Sequence, residues 1–135
     1  METERIGQMV ELLGRSLQVE YRIIVHYPKL MAMLPDEETR NLALTLGLDS
    51  IRHADTVREV IMGLGEEPPF PSVDALPDVS VRDIFRRQLE YEKLAFLLHT
   101  EAANLASPEH KAAFRRIAQE ESHHIEGVER ILKKL

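Results

Sequence analysis

Four stretches of this chain carry apolar residues at alternating steps of three and four, and each stripe is broken near its middle by polar or ionisable side chains. The first stripe reads Ile6, Val10, Leu13, Leu17, Glu20, Ile24, Tyr27, Met31, Leu34, and the second Leu42, Leu46, Ser50, His53, Val57, Val60, Leu64. The third reads Val81, Phe85, Gln88, Glu92, Phe96, His99, Ala103, Ala106, and the fourth Phe114, Ile117, Glu121, His124, Val128, Ile131, Leu135. Such steps follow one face of an α-helix, so the pattern specifies four amphipathic helices around a common core. An unpartnered carboxylate in a core costs at least several kcal/mol. Four helices that bring such groups to one level therefore need a shared partner. A cation held by oxygen and imidazole donors meets that need.

The helices are expected over about 4–34, 36–64, 80–106 and 108–134, in one domain spanning residues 1–135. Pro28 is expected to kink the first, because proline lacks the backbone donor and clashes one turn back. Pro35-Asp36-Glu37-Glu38 makes a tight turn with acids at the positive end of the second helix, which stops at Gly65. Ser80 and Asp83 form a start resembling a capping box, with Asp in the place usually taken by Glu or Gln. Ser107-Pro108-Glu109 reads as N-cap, first-position proline and first-turn acid. Short turns make two antiparallel hairpins. Between them lies a connection of about fourteen residues containing Pro68, Pro69, Pro71 and Pro77, long enough to cross the bundle.

The hairpins resemble each other. Leu17-Gln-Val-Glu20 matches Leu89-Glu-Tyr-Glu92, and His53-Ala-Asp-Thr-Val57 matches His124-Ile-Glu-Gly-Val128. The fourth helix offers two overlapping Glu-x-x-His readings. Glu121 and His124 continue the line from Ile117 to Val128, whereas Glu120 and His123 continue one through Arg116 and Arg130. The candidate metal ligands are therefore Glu20, His53, Glu92, Glu121 and His124, with Glu120 and His123 outside them or at the surface. Taken singly, each has a plainer reading as a hydrogen-bonded core residue. Their shared depth is what favours a site. Tyr27 and His99 lie two turns beyond Glu20 and Glu92, about 10 Å along the axis. In a straight helix that is too far for them to join the ligands, so they are expected to support the site by hydrogen bonding or simply to fill the core.

Composition narrows the function classes. A net charge of -6 without a basic block argues against nucleic acid or an anionic membrane as partner. No apolar run is long enough to span a bilayer, and no secretory leader is visible, so the cytoplasm is the expected location. With no cysteine, any metal must be held by nitrogen and oxygen.

These motifs resemble the rubrerythrin and ferritin-like di-iron carboxylate proteins over nearly the whole chain. Glu20-Tyr-Arg…His26-Tyr27-Pro28 and Ala118-Gln-Glu-Glu121-Ser-His-His124 are similar to rubrerythrin sequences in particular. The family takes one Glu from each of two helices and a Glu-x-x-His from each of the other two. Glu20 and Glu92 match the single glutamates, and Glu121 with His124 matches one Glu-x-x-His. The second reads Ser50-Ile-Arg-His53, without its bridging glutamate.

The resemblance implies an all-α, ferritin-like four-helix bundle holding two iron ions. Glu121 would bridge them, His53 and His124 would each hold one, and Glu20 and Glu92 would be terminal. Three glutamates leave one positive charge over on two divalent ions. A bridging hydroxide, recruitment of Asp49, or binding of one ion or another divalent metal would each answer that. The implied activity is oxidoreduction of peroxide or dioxygen by a homodimer supplied by a separate electron donor. The alternatives are a metal-binding or iron-handling protein without turnover, and a structural helical module.

Overall fold

The computed structural model describes all residues, 1–135. It contains four α-helices, α1 (Glu2–Ala32), α2 (Glu37–Gly63), α3 (Val81–Leu105) and α4 (Pro108–Lys134). The expected elements are all present, with ends shifted by one or two residues. α1 runs without interruption through Pro28.

The helix ends follow from local chemistry. Asp36 accepts a hydrogen bond from the Thr39 amide at 2.8 Å, and Ser80 accepts one from the Asp83 amide at 3.1 Å. Ser107 occupies the N-cap of α4 but its side chain makes no capping bond, so Pro108 at the first position carries that start. α2 ends in a Schellman turn. Gly65 takes φ +85° there, and the amides of Gly65 and Glu66 reach the Met62 and Ile61 carbonyls.

α1 packs on α2 and α3 on α4, and the hairpins meet along α1/α3 and α2/α4. Arg5, at the start of α1, donates to the Leu105 carbonyl at the end of α3 at 2.6 Å. Lys134, at the end of α4, pairs with Glu38 at the start of α2 at 2.7 Å. Both contacts require antiparallel neighbours, so α3 runs parallel to α2, its diagonal partner. The crossover must then travel the length of the bundle. It does so along α1, where Gln18 donates to the Ser72 carbonyl at 3.0 Å and His26 meets the Asp74 carbonyl at 2.7 Å.

The core has three storeys. Apolar layers containing Leu13, Leu17 and Phe114 on one side, and Ile23, Leu46, Phe85 and Ile131 on the other, enclose a polar middle. That middle consists of Ser16, Glu20, Ser50, His53, Gln88, Glu92, His99, Glu121 and His124, all buried. No helix is long and apolar enough to cross a membrane.

Candidate metal centre

The five sequence-predicted residues converge at mid-bundle, one or two from each helix. Glu121 stands at the centre and divides its oxygens between two groups. Its Oε1 lies 3.0 Å from His53 Nδ1 and 3.6 Å from His99 Nδ1. Its Oε2 lies 3.3 Å from His124 Nδ1. Glu20 Oε1 closes on His53 Nδ1 at 3.5 Å, and Glu92 Oε2 on His124 Nδ1 at 3.3 Å. Two sets of donors, Glu20–His99–Glu121 and Glu92–Glu121–His124, have their nearest atoms within 4.8 Å of one another. The predicted ligand His53 belongs to neither set and joins the first only through its contacts with Glu20 and Glu121.

His99 corrects an expectation. Its backbone is two turns from Glu92, yet its ring reaches the same layer. Helical side chains lean towards their own N-terminus, so His99 bends back towards Glu92 rather than standing at its own level. Tyr27, the matching residue of the first hairpin, instead lies against Gly47. His123 is exposed.

The imidazoles are held from behind. His124 donates from Nε2 to Asp49 at 2.7 Å, and His53 Nε2 faces Glu120 Oε1 at 3.4 Å. Asp49 thus stands behind a histidine rather than in the centre. Arg52 pairs with both outer carboxylates, contacting Asp49 and lying 2.9 Å from Glu120. Sequence reading placed Glu120 outside the ligands without finding its partner. The signal was in the repeat, since Asp49 and Glu120 each lie four residues before a histidine, and each serves the histidine of the other hairpin. Depressions of about 350 Å³ and 290 Å³ on this α2/α4 face are lined by His124 and His53 respectively.

Electrostatics match the geometry. Burial pushes the Glu121 carboxyl up, and the neighbouring charges of Glu20 and Glu92 push it further, well above the carboxylate range. For Glu20, burial acts upward, but contact with His53 outweighs it and leaves the group below its ordinary value. Burial acts to lower both His53 and His124. Glu20 nevertheless raises His53, while Glu121 and Glu92 carry His124 up to about 11. Burial lowers His99 to about 4, so its ring is neutral at neutral pH.

Whether these residues suit a metal ion can be tested on their unpaired atoms. Both oxygens of Glu20 and of Glu121, together with Nδ1 of His53 and His99, are buried without a hydrogen-bond partner. They approach to 3.0–3.6 Å yet are not aligned as donor and acceptor. Atoms that converge on a common point meet in this way. With bonds of about 2.1 Å, adjacent ligands of an octahedral ion are about 3 Å apart. Carboxylate and imidazole donors suit borderline divalent ions such as iron, manganese or zinc. The residues fit.

No protein-family model matches the sequence, and no curated protein matches it. Among solved structures, a ferritin-like diiron-carboxylate protein of Bacillus anthracis superposes with TM-score 0.83 at 19% identity, covering 95% of this chain and 97% of that one. A dodecameric thioferritin of Bacteroides fragilis, a bacterioferritin-related protein, gives 0.80 at 14% identity, covering 96% and 86%. The bacterioferritin of Desulfovibrio desulfuricans, whose structure has a diiron site, gives 0.77 at 23% identity, covering 96% and 81%. The fold is therefore the ferritin-like four-helix bundle. Its structural neighbours are diiron-carboxylate proteins and bacterioferritins, while the likeness to rubrerythrins rests on sequence motifs.

Proposed function

We propose that this chain binds two iron ions through Glu20, His53, Glu92, Glu121 and His124, and acts as an oxidoreductase on dioxygen or peroxide. The observation that carries this reading is the set of four unpaired oxygens of Glu20 and Glu121, buried against imidazole nitrogens. Such groups are costly unless a cation compensates them.

Glu121, with one oxygen towards each group, would bridge the two ions. Glu20 and His53 would hold one ion, and Glu92 and His124 the other. Bound iron would supply reversible one-electron exchange. The surrounding residues would set its conditions: Asp49 and Glu120 orient the histidines, and apolar layers on both sides exclude bulk water. The depressions beside His53 and His124 would admit small molecules from the α2/α4 face. These 135 residues have no cysteine for a thiolate electron relay, so electrons would come from a separate donor. The working form would be a cytoplasmic homodimer.

Iron uptake without turnover is the second reading. Ser50 in place of a bridging carboxylate favours it, as does the structural likeness to bacterioferritins. Metal analysis of aerobically purified protein separates the two. Two irons per chain, with near-ultraviolet absorption that bleaches on reduction and returns with peroxide, is the expected result. Iron accumulating well beyond two per chain would favour storage. No bound metal, with unchanged stability in Glu121→Ala and His124→Ala, would overturn both and leave a structural module.

A further inference from the structure

The three buried imidazoles share one construction. Each turns Nδ1 towards the carboxylates and Nε2 outward to an oxygen: His53 to Glu120 at 3.4 Å, His124 to Asp49 at 2.7 Å, and His99 to Ser16 at 2.8 Å. A metal-bound imidazole ordinarily gives its second nitrogen to such a partner, which fixes the tautomer and ring orientation. The tautomer that donates from Nε2 to Ser16 leaves His99 a free lone pair on Nδ1. That nitrogen is buried and without a hydrogen-bond partner, 3.6 Å from Glu121 Oε1. Phe114 lies nearly parallel to the ring, 6.5 Å between centroids, and helps hold it.

The two donor groups are unequal. Around Glu121 Oε1 gather His53, His99 and Glu20; around Oε2 only His124 and Glu92. Ser50 occupies the place that matches Glu121 in the other hairpin. Its hydroxyl is buried and unpaired, and it contributes no charge. The chain thus lacks a carboxylate on α2 and presents an additional imidazole from α3.

We propose that His99 is itself a metal ligand, so that the centre has a tight position made by Glu20, His53, His99 and Glu121, and a weaker one made by Glu92, His124 and Glu121. This rests on the reading of the layer as a metal site. Borderline divalent ions gain affinity from nitrogen donors, so the tight position fills first. The weaker position keeps more coordination sites open to exogenous ligands.

Anaerobic titration of the full chain with Co(II), followed by calorimetry and visible absorption, tests this. The wild type should fill in two distinct steps. His99→Gln, whose amide can still reach Ser16, should weaken the first step by more than about a hundredfold, the upper range for losing only an outer partner. It should leave the second step in place. In the loaded wild type, proton NMR should resolve three strongly shifted, exchangeable imidazole N–H signals, and two in His99→Gln. Ser50→Glu should strengthen the second step and bring the two affinities together. Equal steps, or a first step and three signals unchanged by His99→Gln, would overturn the role of His99 while leaving the metal site standing. No cobalt binding by the folded wild type would overturn both. Matching far-ultraviolet circular dichroism of the variants excludes misfolding as the cause.

Discussion

His124 on α4 donates from Nε2 to the Asp49 carboxylate on α2 at 2.7 Å, tying the two helices together directly behind the centre. The His124 contact and the Arg52 guanidinium hold Asp49 below the ordinary carboxylate range, against the upward pull of its partial burial. Asp49 is thus an ionised acceptor that keeps Nδ1 of His124 pointing inward. Removing such a partner commonly weakens metal binding 10–100-fold. Asp49→Ala should therefore reduce affinity for the ion held by His124 by about that factor, while Glu120→Ala should act on the ion held by His53. Calorimetry with Co(II) reads both. Equal effects of the two variants on both ions would refute this pairing.

Metal uptake and the stability of the metal-free protein should depend on pH in opposite ways. His124, which burial lowers but Glu121 and Glu92 carry up to about 11, holds a proton near neutrality in the metal-free centre, and burial with its acidic neighbours raises Glu121 as well. A cation at His124 must displace that proton, so apparent affinity rises with pH. Calorimetry in buffers of differing ionisation enthalpy should detect proton release on loading. The sign for folding is reversed. Both groups have folded pKa values above their unfolded ones, so their contribution is fully present below the unfolded values. For His124 it is lost as pH climbs from about 6.5 to about 11. Denaturant midpoints of metal-free protein should accordingly fall from pH 6 to 9. Metal-loaded protein should resist the same change.

Removing the metal should be costly. A ligand at a hundred times its dissociation constant stabilises by about 2.7 kcal/mol. In a domain of this size that corresponds to a fall in Tm of roughly 8–12 °C on chelation. Glu121→Leu should behave differently. Leucine removes two buried oxygens that lack hydrogen-bond partners but also takes an acidic neighbour from His124. The two effects oppose each other, so the metal-free variant should stay close to wild type in stability. The variant should no longer respond to metal or chelator. A Glu121→Leu protein much less stable than metal-free wild type would mean that Glu121 is a structural hydrogen-bonding residue.

Much of this centre was legible because burial forces a choice. A glutamate at the phase of Leu17 and Ile117 has nowhere to go but inward, which located Glu20, Glu92 and Glu121. The ends of the stripes were less well placed. Ile6, Val10 and Ile24 are only half-buried, while Met9, Leu12 and Ile23 take the deep positions. A stripe read at 3.5 residues per turn drifts by about 20° per heptad from a straight helix of 3.6. His99 was put too far from the site because axial rise measures backbone separation, whereas two long side chains leaning along the axis close it. Asp49 and Glu120 lie off the stripes, so periodicity could not find them. Their matched spacing before His53 and His124 could.

Tyr27 and Gly47 supply a prediction away from the metal. A Cβ added at Gly47 would stand 2.2 Å from the Tyr27 ring, at Cγ, so the ring lies on the bare backbone of α2. Alanine in an exposed helix is ordinarily better than glycine by roughly 0.5–1 kcal/mol. Gly7, where an added methyl would meet nothing within 4 Å, should follow that rule, and Gly7→Ala should stabilise. Gly47→Ala should do the reverse, because displacing a packed ring costs about 1–3 kcal/mol and exceeds the gain in propensity. In a Tyr27→Ala background, where no ring is left to displace, Gly47→Ala should cost nothing or stabilise. Chemical denaturation of the two single variants and the double variant tests the contact as a thermodynamic cycle. Additive effects would mean that Tyr27 does not rest on Gly47 in solution.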